Sequence, residues 1–279
     1  MRIIEASAVH AAVRQMILAA NRVLGDDVYA ALKSSMESET SASGREVLRQ
    51  LLENADLAAS GGLALCQDTG AAVFFVEMGE DVRLGGGSLQ HVLNSAMAQA
   101  YEEGCLRKSM CHPLTRCNTG DNRPAIVHTE LVEGDRLTIR YMAKGGGSEN
   151  MSRCTMLTPA QGWQGIKEFV VRRMAEAGPN PCPPTIVGVG IGGTFDLAPA
   201  LAKRALFRRL DDVHPDAEVA AMETELLDAL NALGIGPMGL GGRTTCLAVK
   251  IALHPCHIAS LPVAVNVQCH SARHREVIL

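Results

Sequence analysis

The chain has 279 residues, 47% of them hydrophobic, yet only five are Phe, three Tyr and one Trp. Such a chain can bury one large α/β domain or two closely associated lobes around aliphatic side chains, alanine and methionine. A formal net charge of −4 argues against nucleic acid or an anionic membrane surface as partner, and no stretch approaches the ~20 apolar residues of a membrane span.

The first residues, Met1-Arg2-Ile3-Ile4-Glu5, lack the apolar core and small-residue cleavage site of a signal peptide, so a cytoplasmic protein is expected. Nine cysteines, an odd number, fit reduced thiols better than a disulfide framework. Val9, Val13, Ile17, Ala20 and Leu24 recur at helical spacing, and a second helical pattern runs from Val28 to Met36. A third runs from Ser43 to Ala58, with Ser43 as N-cap and Glu46 three residues on, and Gly61-Gly62 ends it. The first 60 residues are therefore expected to be helical.

A cysteine loop, Cys66-Gln67-Asp68-Thr69-Gly70, precedes a short strand at Val73 to Glu77 and a helix from Leu89 to Gly104. Pro124 to Leu131 and Arg136 to Met142 are β-rich runs whose connection, Val132-Glu133-Gly134-Asp135, reads as a hairpin. Gly145-Gly146-Gly147 stops the second run, and Gln161 to Ala177 is an amphipathic helix closed by Gly178-Pro179. Then come a strand (Thr185 to Val189), two helices (Asp196 to Leu210, Pro215 to Leu233) and two strands (Thr245 to Ala252, Val263 to Val267). This order predicts an α/β fold, with helices packed around mixed β-sheet. No linker, internal repeat or low-complexity tract is visible. Residues 1–279 are read as a single domain, with a helical part over about 1–60 and an α/β body over about 61–279.

Three cysteines stand in unusual contexts: Cys66 in the loop above, Cys182 in Pro181-Cys182-Pro183-Pro184, and Cys269 in Val267-Gln268-Cys269-His270. Any one cysteine taken alone is more often a small buried apolar residue than a ligand. Cys105, Cys111 and Cys117 have an even six-residue spacing that matches no common zinc or ferredoxin pattern. Asp68 reads either as a turn cap before a strand or as a carboxylate for general acid–base work. Lys144-Gly145-Gly146-Gly147-Ser148-Glu149-Asn150 offers successive unhindered N–H groups suited to a carboxylate, but it is neither a P-loop nor a Rossmann fingerprint. Gly188 to Thr194 reads as close strand-to-helix packing or as a turn supporting the Cys182 loop. Arg107, after a helix end, reads as a solvated charge.

Taken in order, these cysteine contexts, the Lys-Gly-Gly-Gly-Ser segment and Leu233-Gly234-Ile235-Gly236-Pro237 resemble the N-terminal catalytic domain of class I (iron–sulfur) fumarases and the related tartrate dehydratases. The resemblance runs from roughly Gly44 to Arg273. It implies a class I fumarase N-terminal-domain-like fold and a [4Fe–4S] cluster on Cys66, Cys182 and Cys269, with one iron left open. It further implies that Asp68 is the acid with His257 as its partner, and that Gln67, Arg107 and Gly147 bind substrate. His270 is set aside as a ligand, because adjacent strand residues point to opposite faces. The implied activity is reversible dehydration of a 2-hydroxy dicarboxylate in the tricarboxylic acid cycle, (S)-malate to fumarate being first choice. The Gly-Gly-Gly-Ser-Glu-Asn form resembles fumarases more than tartrate dehydratases. L(+)-tartrate is the near alternative substrate, and a non-enzymatic iron–sulfur scaffold or sensor the distant one. Single-chain relatives continue into a second domain. This chain stops at Leu279, so a separate β subunit is expected to complete the site, with self-pairing to α2β2.

Overall fold

The helical periodicity of the first 25 residues yields one long helix, with Val9, Val13, Ile17 and Ala20 all buried along one stripe. It lies in a computed structural model that describes residues 1–279 throughout. In chain order the elements are β1 (Arg2–Glu5), α1 (Ala6–Arg22), α2 (Asp26–Ser38), α3 (Ala42–Gly61), β2 (Ala71–Gly79), β3 (Val82–Gly85) and α4 (Leu89–Glu103). They continue with β4 (Ile126–Val132), β5 (Leu137–Lys144), α5 (Gly146–Asn150), β6 (Arg153–Leu157), α6 (Gly162–Ala177) and β7 (Thr185–Gly192). The last are α7 (Leu197–Ala205), α8 (Ala217–Asn231), β8 (Cys246–His254), β9 (Leu261–Gln268) and β10 (His274–Ile278). No helix is long and apolar enough to cross a membrane.

Two compact units divide these elements. The first comprises Met1–Gly25, Ala55–Gly146 and Arg273–Leu279; the second comprises Asp26–Asn54 and Gly147–Ala272. In the first, the strand order is β10-β5-β2-β4, with β2 parallel to β4 and antiparallel to β5. Its core joins the apolar stripe of α1 to Leu93, Met97 and Ala100 of α4 and to Phe74, Ile139 and Tyr141 of the sheet. Burying each large side chain there contributes roughly 1.5–3 kcal/mol. Ser88 caps α4 by accepting the His91 N–H at 3.3 Å.

In the second unit the order is β6-β9-β7-β8, with β7 parallel to β8 and antiparallel to β9. The alternation along β7 explains its two faces. Val187 and Val189 join Phe169, Val170, Leu226 and Leu230 in a core with α6 and α8. Gly188 and Gly190 point the other way, where a Cβ would overlap the carbonyls of Ala202 and Ala198 on α7. The glycine-rich run is therefore a helix-packing device, as one of its two sequence readings holds.

Several expectations change. β4 and β5 are not a hairpin: β2 lies between them, and its end donates from Gly79 N to the Arg136 carbonyl at 2.9 Å and from Glu80 N to the Val132 carbonyl at 2.8 Å. Helix α3 starts one residue early and Ser41, not Ser43, accepts a first-turn N–H, from Gly44 at 3.2 Å. Strands β1, β3, β6 and β10 were not expected. The sequence shows no repeat, yet the two sheets share one connectivity. Each has a central strand with a parallel neighbour on one side and an antiparallel neighbour on the other, which in turn pairs antiparallel with an edge strand. The edge strands are exchanged along the chain: β6 follows β5 but pairs with β9, and β10 follows β9 but pairs with β5.

Candidate active site

In the first unit, the Cys66–Gly70 loop enters β2 beside the end of β5, where Ala71 pairs with Lys144. Gly70 has φ 69°, and a Cβ there would lie 2.5 Å from the Lys144 carbonyl oxygen, so this position needs glycine for conformation and for space. Three donors converge on the Asp68 carboxylate. Oδ1 accepts from Gly70 N at 3.0 Å and from the Ser109 hydroxyl at 3.4 Å, while Oδ2 accepts from Gly146 N at 2.8 Å. Asp68 thus caps its own turn, as one of its two sequence readings holds, and the same side chain reaches across to the glycine segment. The Gly146 N–H, read from sequence as part of an anion cradle, is occupied by this carboxylate.

Around it the loop backbone is held on several sides. Thr69 Oγ1 donates to the Arg107 carbonyl at 2.9 Å, and the Tyr101 hydroxyl donates to the Thr69 carbonyl at 2.8 Å. Asn122 donates to the Gly70 carbonyl at 3.1 Å and accepts from the Ser109 and Met110 N–H groups at 2.7 and 3.0 Å. Arg273 Nη1 donates to the Asp68 carbonyl at 2.6 Å. Burial pushes the Tyr101 and Tyr141 hydroxyls up, keeping both as neutral hydrogen-bonding groups. Gln67 and Arg107 are exposed, and Asp68 is half-buried.

In the second unit, Cys182 precedes β7 and Cys269 follows β9. These strands are antiparallel neighbours, with Ile186 opposite Gln268, so both thiols flank the same end of one sheet. Cys182 takes φ 56°, an uncommon conformation for a residue with a side chain and one that collects at functional positions. Its N–H donates to the Pro179 carbonyl at 3.0 Å, and its carbonyl accepts from His270 Nδ1 at 2.9 Å. Met238 N donates to the Pro183 carbonyl at 2.7 Å, so the chain after Leu233–Pro237 buttresses this loop. The Gly188–Thr194 segment ends at the other extremity of β7 and does not support Cys182. Gly147 is the second residue of the short α5, and a Cβ there would meet the Asn180 carbonyl at 3.3 Å, placing it against the Cys182 loop.

His257 lies elsewhere. It sits in the loop joining β8 to β9, at the sheet end opposite Cys182 and Cys269, a separation of roughly 25 Å for strands of this length. Its imidazole is exposed and Nδ1 accepts from Ala259 N at 3.1 Å. The eight site residues read from sequence therefore divide into Cys66, Gln67, Asp68 and Arg107 in the first unit and Gly147, Cys182 and Cys269 at one sheet end of the second, with His257 at its other end. Ser109, Asn122, Tyr101 and Arg273 were not foreseen, and His270, set aside as a ligand, instead holds the Cys182 backbone.

None of the nine cysteines is in a disulfide. Cys246 is fully buried and burial pushes its thiol up to about 12, which suits a structural role. Cys66, Cys182 and Cys269 are instead partly exposed, each at the end of a sheet strand. No three or more His, Cys, Asp or Glu side chains gather as around a single ion. A [4Fe–4S] cluster asks for something different, soft thiolates on separate irons, and this donor set fits that chemistry.

The fumarate hydratase (Fumerase) family matches residues 10–278 of the chain. A Methanocaldococcus jannaschii protein, named provisionally as an L(+)-tartrate dehydratase subunit alpha, is 42% identical over 259 residues, covering 90% of each chain. An Escherichia coli protein named L(+)-tartrate dehydratase subunit alpha is 33% identical over 252 residues, covering 89% of this chain and 83% of that one. A Shigella sonnei protein of the same name is 32% identical over the same span. The chain belongs to the fumarate hydratase (Fumerase) family of hydro-lyases.

Proposed function

We propose that this chain is the α subunit of a two-subunit, iron–sulfur-dependent hydro-lyase acting on a 2-hydroxy dicarboxylate, with L(+)-tartrate as the leading substrate. The sequence alone favoured (S)-malate. The names of the relatives favour tartrate, and malate becomes the second reading. The observation that carries the catalytic reading is the Asp68 carboxylate, two residues from Cys66 and fixed between Gly146 N and the Ser109 hydroxyl.

A [4Fe–4S] cluster bound by Cys66, Cys182 and Cys269 would supply a Lewis-acidic iron with no protein ligand, suited to polarising a C–O bond. Asp68 protonates the departing hydroxyl, a general-acid contribution of typically ~10²–10⁴-fold. Gln67, Arg107 and Gly147 hold the substrate carboxylates, Arg107 through its exposed guanidinium. A β subunit, implied by the subunit names of the relatives, supplies the base for the C–H proton.

We also propose self-pairing to α2β2, with His257 serving Asp68 of another copy. A cluster shared by all three thiols would bring Asp68, two residues from Cys66, to the end of the sheet bearing Cys182 and Cys269, opposite the end bearing His257. The surface around His257 supports self-pairing too: Ile258 is 92% exposed, Phe195 65% and Leu253 50%, all at the same sheet end. Nine cysteines with no disulfide between them fit a reducing, cytoplasmic setting.

The test is anaerobic dehydration by the chain co-expressed with its β subunit. On L(+)-tartrate, kcat/KM should exceed that on (S)-malate by about tenfold or more, the discrimination expected of a site that hydrogen-bonds the extra hydroxyl. The reverse ratio would restore malate, and inactivity on both would refute the hydro-lyase reading of this chain's substrate class.

A further inference from the structure

We infer that Arg273 is a positioning residue for Asp68, acting through the backbone of the acid's loop. This rests on the reading of Asp68 as the catalytic acid. Arg273 is the largest fully buried side chain in the protein, with 1% of its surface exposed. Nη1 donates to the Asp68 carbonyl oxygen at 2.6 Å, across 205 positions of sequence. Its own carbonyl accepts from Ala143 N at 2.9 Å, which ties it to β5 one residue before the Lys144–Gly146 segment. A Cβ built on Gly145 would lie 3.3 Å from Asp68 Oδ2 and 3.6 Å from Arg273 Nη2. The carboxylate and the guanidinium thus border one small space at Gly145, where a Cβ would fit tightly against Asp68 Oδ2.

Three features argue for more than filling the interior. Burying a guanidinium is costly unless it is paired, and an apolar side chain of similar volume would stabilise such a position at least as well. The planar fork allows one arm to hold the Asp68 carbonyl while the other faces the Gly145 gap, a geometry that lysine cannot copy. The guanidinium holds the backbone of the residue whose carboxylate must be oriented, while the bond from Ala143 N to the Arg273 carbonyl, which any residue here would make, sets the segment against β5. Cys269 lies four residues earlier, so one short segment provides a proposed cluster thiol and the clamp on the acid. Loss of the clamp lets the carboxylate wander, and misplacement by ~1 Å is enough to cost on the order of 10²-fold in rate.

The experiment uses the anaerobic complex with the β subunit and compares Arg273→Lys, Arg273→Met, Asp68→Asn and the double variant Asp68→Asn/Arg273→Lys. Iron content, thermal unfolding, kcat and KM are measured for each. Arg273→Lys should keep its iron and its KM within about twofold while kcat falls roughly 10–100-fold. In the Asp68→Asn background the lysine should cost little further, because both changes remove one function. Arg273→Met is expected to lose stability as well, which is why the lysine variant decides. An unchanged kcat in Arg273→Lys, a loss confined to KM, or a loss that adds in full to that of Asp68→Asn would overturn the inference. If Asp68→Asn itself turned over like wild type, the acid assignment would fall instead, a result distinct from the other three.

Discussion

His270 donates from Nδ1 to the Cys182 carbonyl at 2.9 Å, so the residue after one cysteine of the set holds the backbone of another. Cys182 needs this support, because its positive φ is a conformation worth ~1–3 kcal/mol of strain. Replacing His270 by Ala removes one hydrogen bond of roughly 0.5–1.5 kcal/mol. Anaerobic protein should then hold less iron and lose it several-fold faster in air. Cys246→Ser, at a buried thiol outside the set, should leave iron unchanged. Equal iron loss in both variants would show that His270 does not organise the Cys182 loop.

Gly70 and Gly62 both have positive φ, at 69° and 64°, but only Gly70 faces an obstacle. A Cβ at Gly70 lies 2.5 Å from the Lys144 oxygen, whereas nothing lies within 4 Å of one at Gly62. Gly62→Ala should cost about 1 kcal/mol, the backbone penalty alone, and Gly70→Ala clearly more. Thermal unfolding of the two variants tests this, and equal melting temperatures would contradict it.

Glu39 supplies the pH dependence. It is 1% exposed, and its carboxylate accepts the N–H groups of Thr40, Ser41, Arg243 and Thr244. Burial pushes its pKa up, but the four backbone donors outweigh this and leave it below the ordinary value of 4.5. A folded-state pKa below the unfolded one gives stability that is fully present above the unfolded value. That stability is lost as pH falls through the folded value. Glu39→Gln should therefore be less stable than wild type at pH 7 by roughly 1–3 kcal/mol. The gap should narrow below a pH of about 4. Denaturant unfolding across pH 3–8 checks it, and a gap that stayed constant would rule out the carboxylate as its source.

His257 and Asp68 offer a test of assembly. Asp68→Asn chains and His257→Asn chains should each be impaired alone, with the larger loss from Asp68→Asn. If the pair is formed between copies, a mixed dimer has one site with both defects and one intact site. Co-expression should then recover about a quarter of wild-type turnover, since half of randomly formed pairs are mixed and each has one working site of two. No recovery beyond the sum of the single variants would show that His257 does not act across copies.

The strongest periodic signals were legible in the sequence. The stripe of α1 appears at the spacing read from it, and the alternating Val-Gly run of β7 carries its two packing faces openly. β6 and β10 were not legible because each is a five-residue strand with charged or exposed positions, and such edges lack an apolar run. The misread hairpin has a local cause too. A four-residue connection fits a hairpin and equally fits two strands flanking a third, and only long-range pairing decides. In the site, the cysteines and Asp68 stood out through their contexts. Ser109, Asn122 and Arg273 did not, because ordinary polar residues gain meaning only when the fold carries them 41, 52 and 205 positions back to the Asp68–Gly70 loop. The same blindness hid the position of His257, since which end of a sheet a loop occupies follows from strand direction rather than from composition.

Turnover of Asp68→Asn in the anaerobic complex, at iron content matched to wild type, bears most directly on catalysis. The expected result is intact iron, near-normal KM and a kcat lower by ~10²–10⁴-fold on L(+)-tartrate, the general-acid contribution removed. Wild-type turnover from an iron-replete Asp68→Asn complex would contradict the assignment of this carboxylate as the acid of a hydro-lyase.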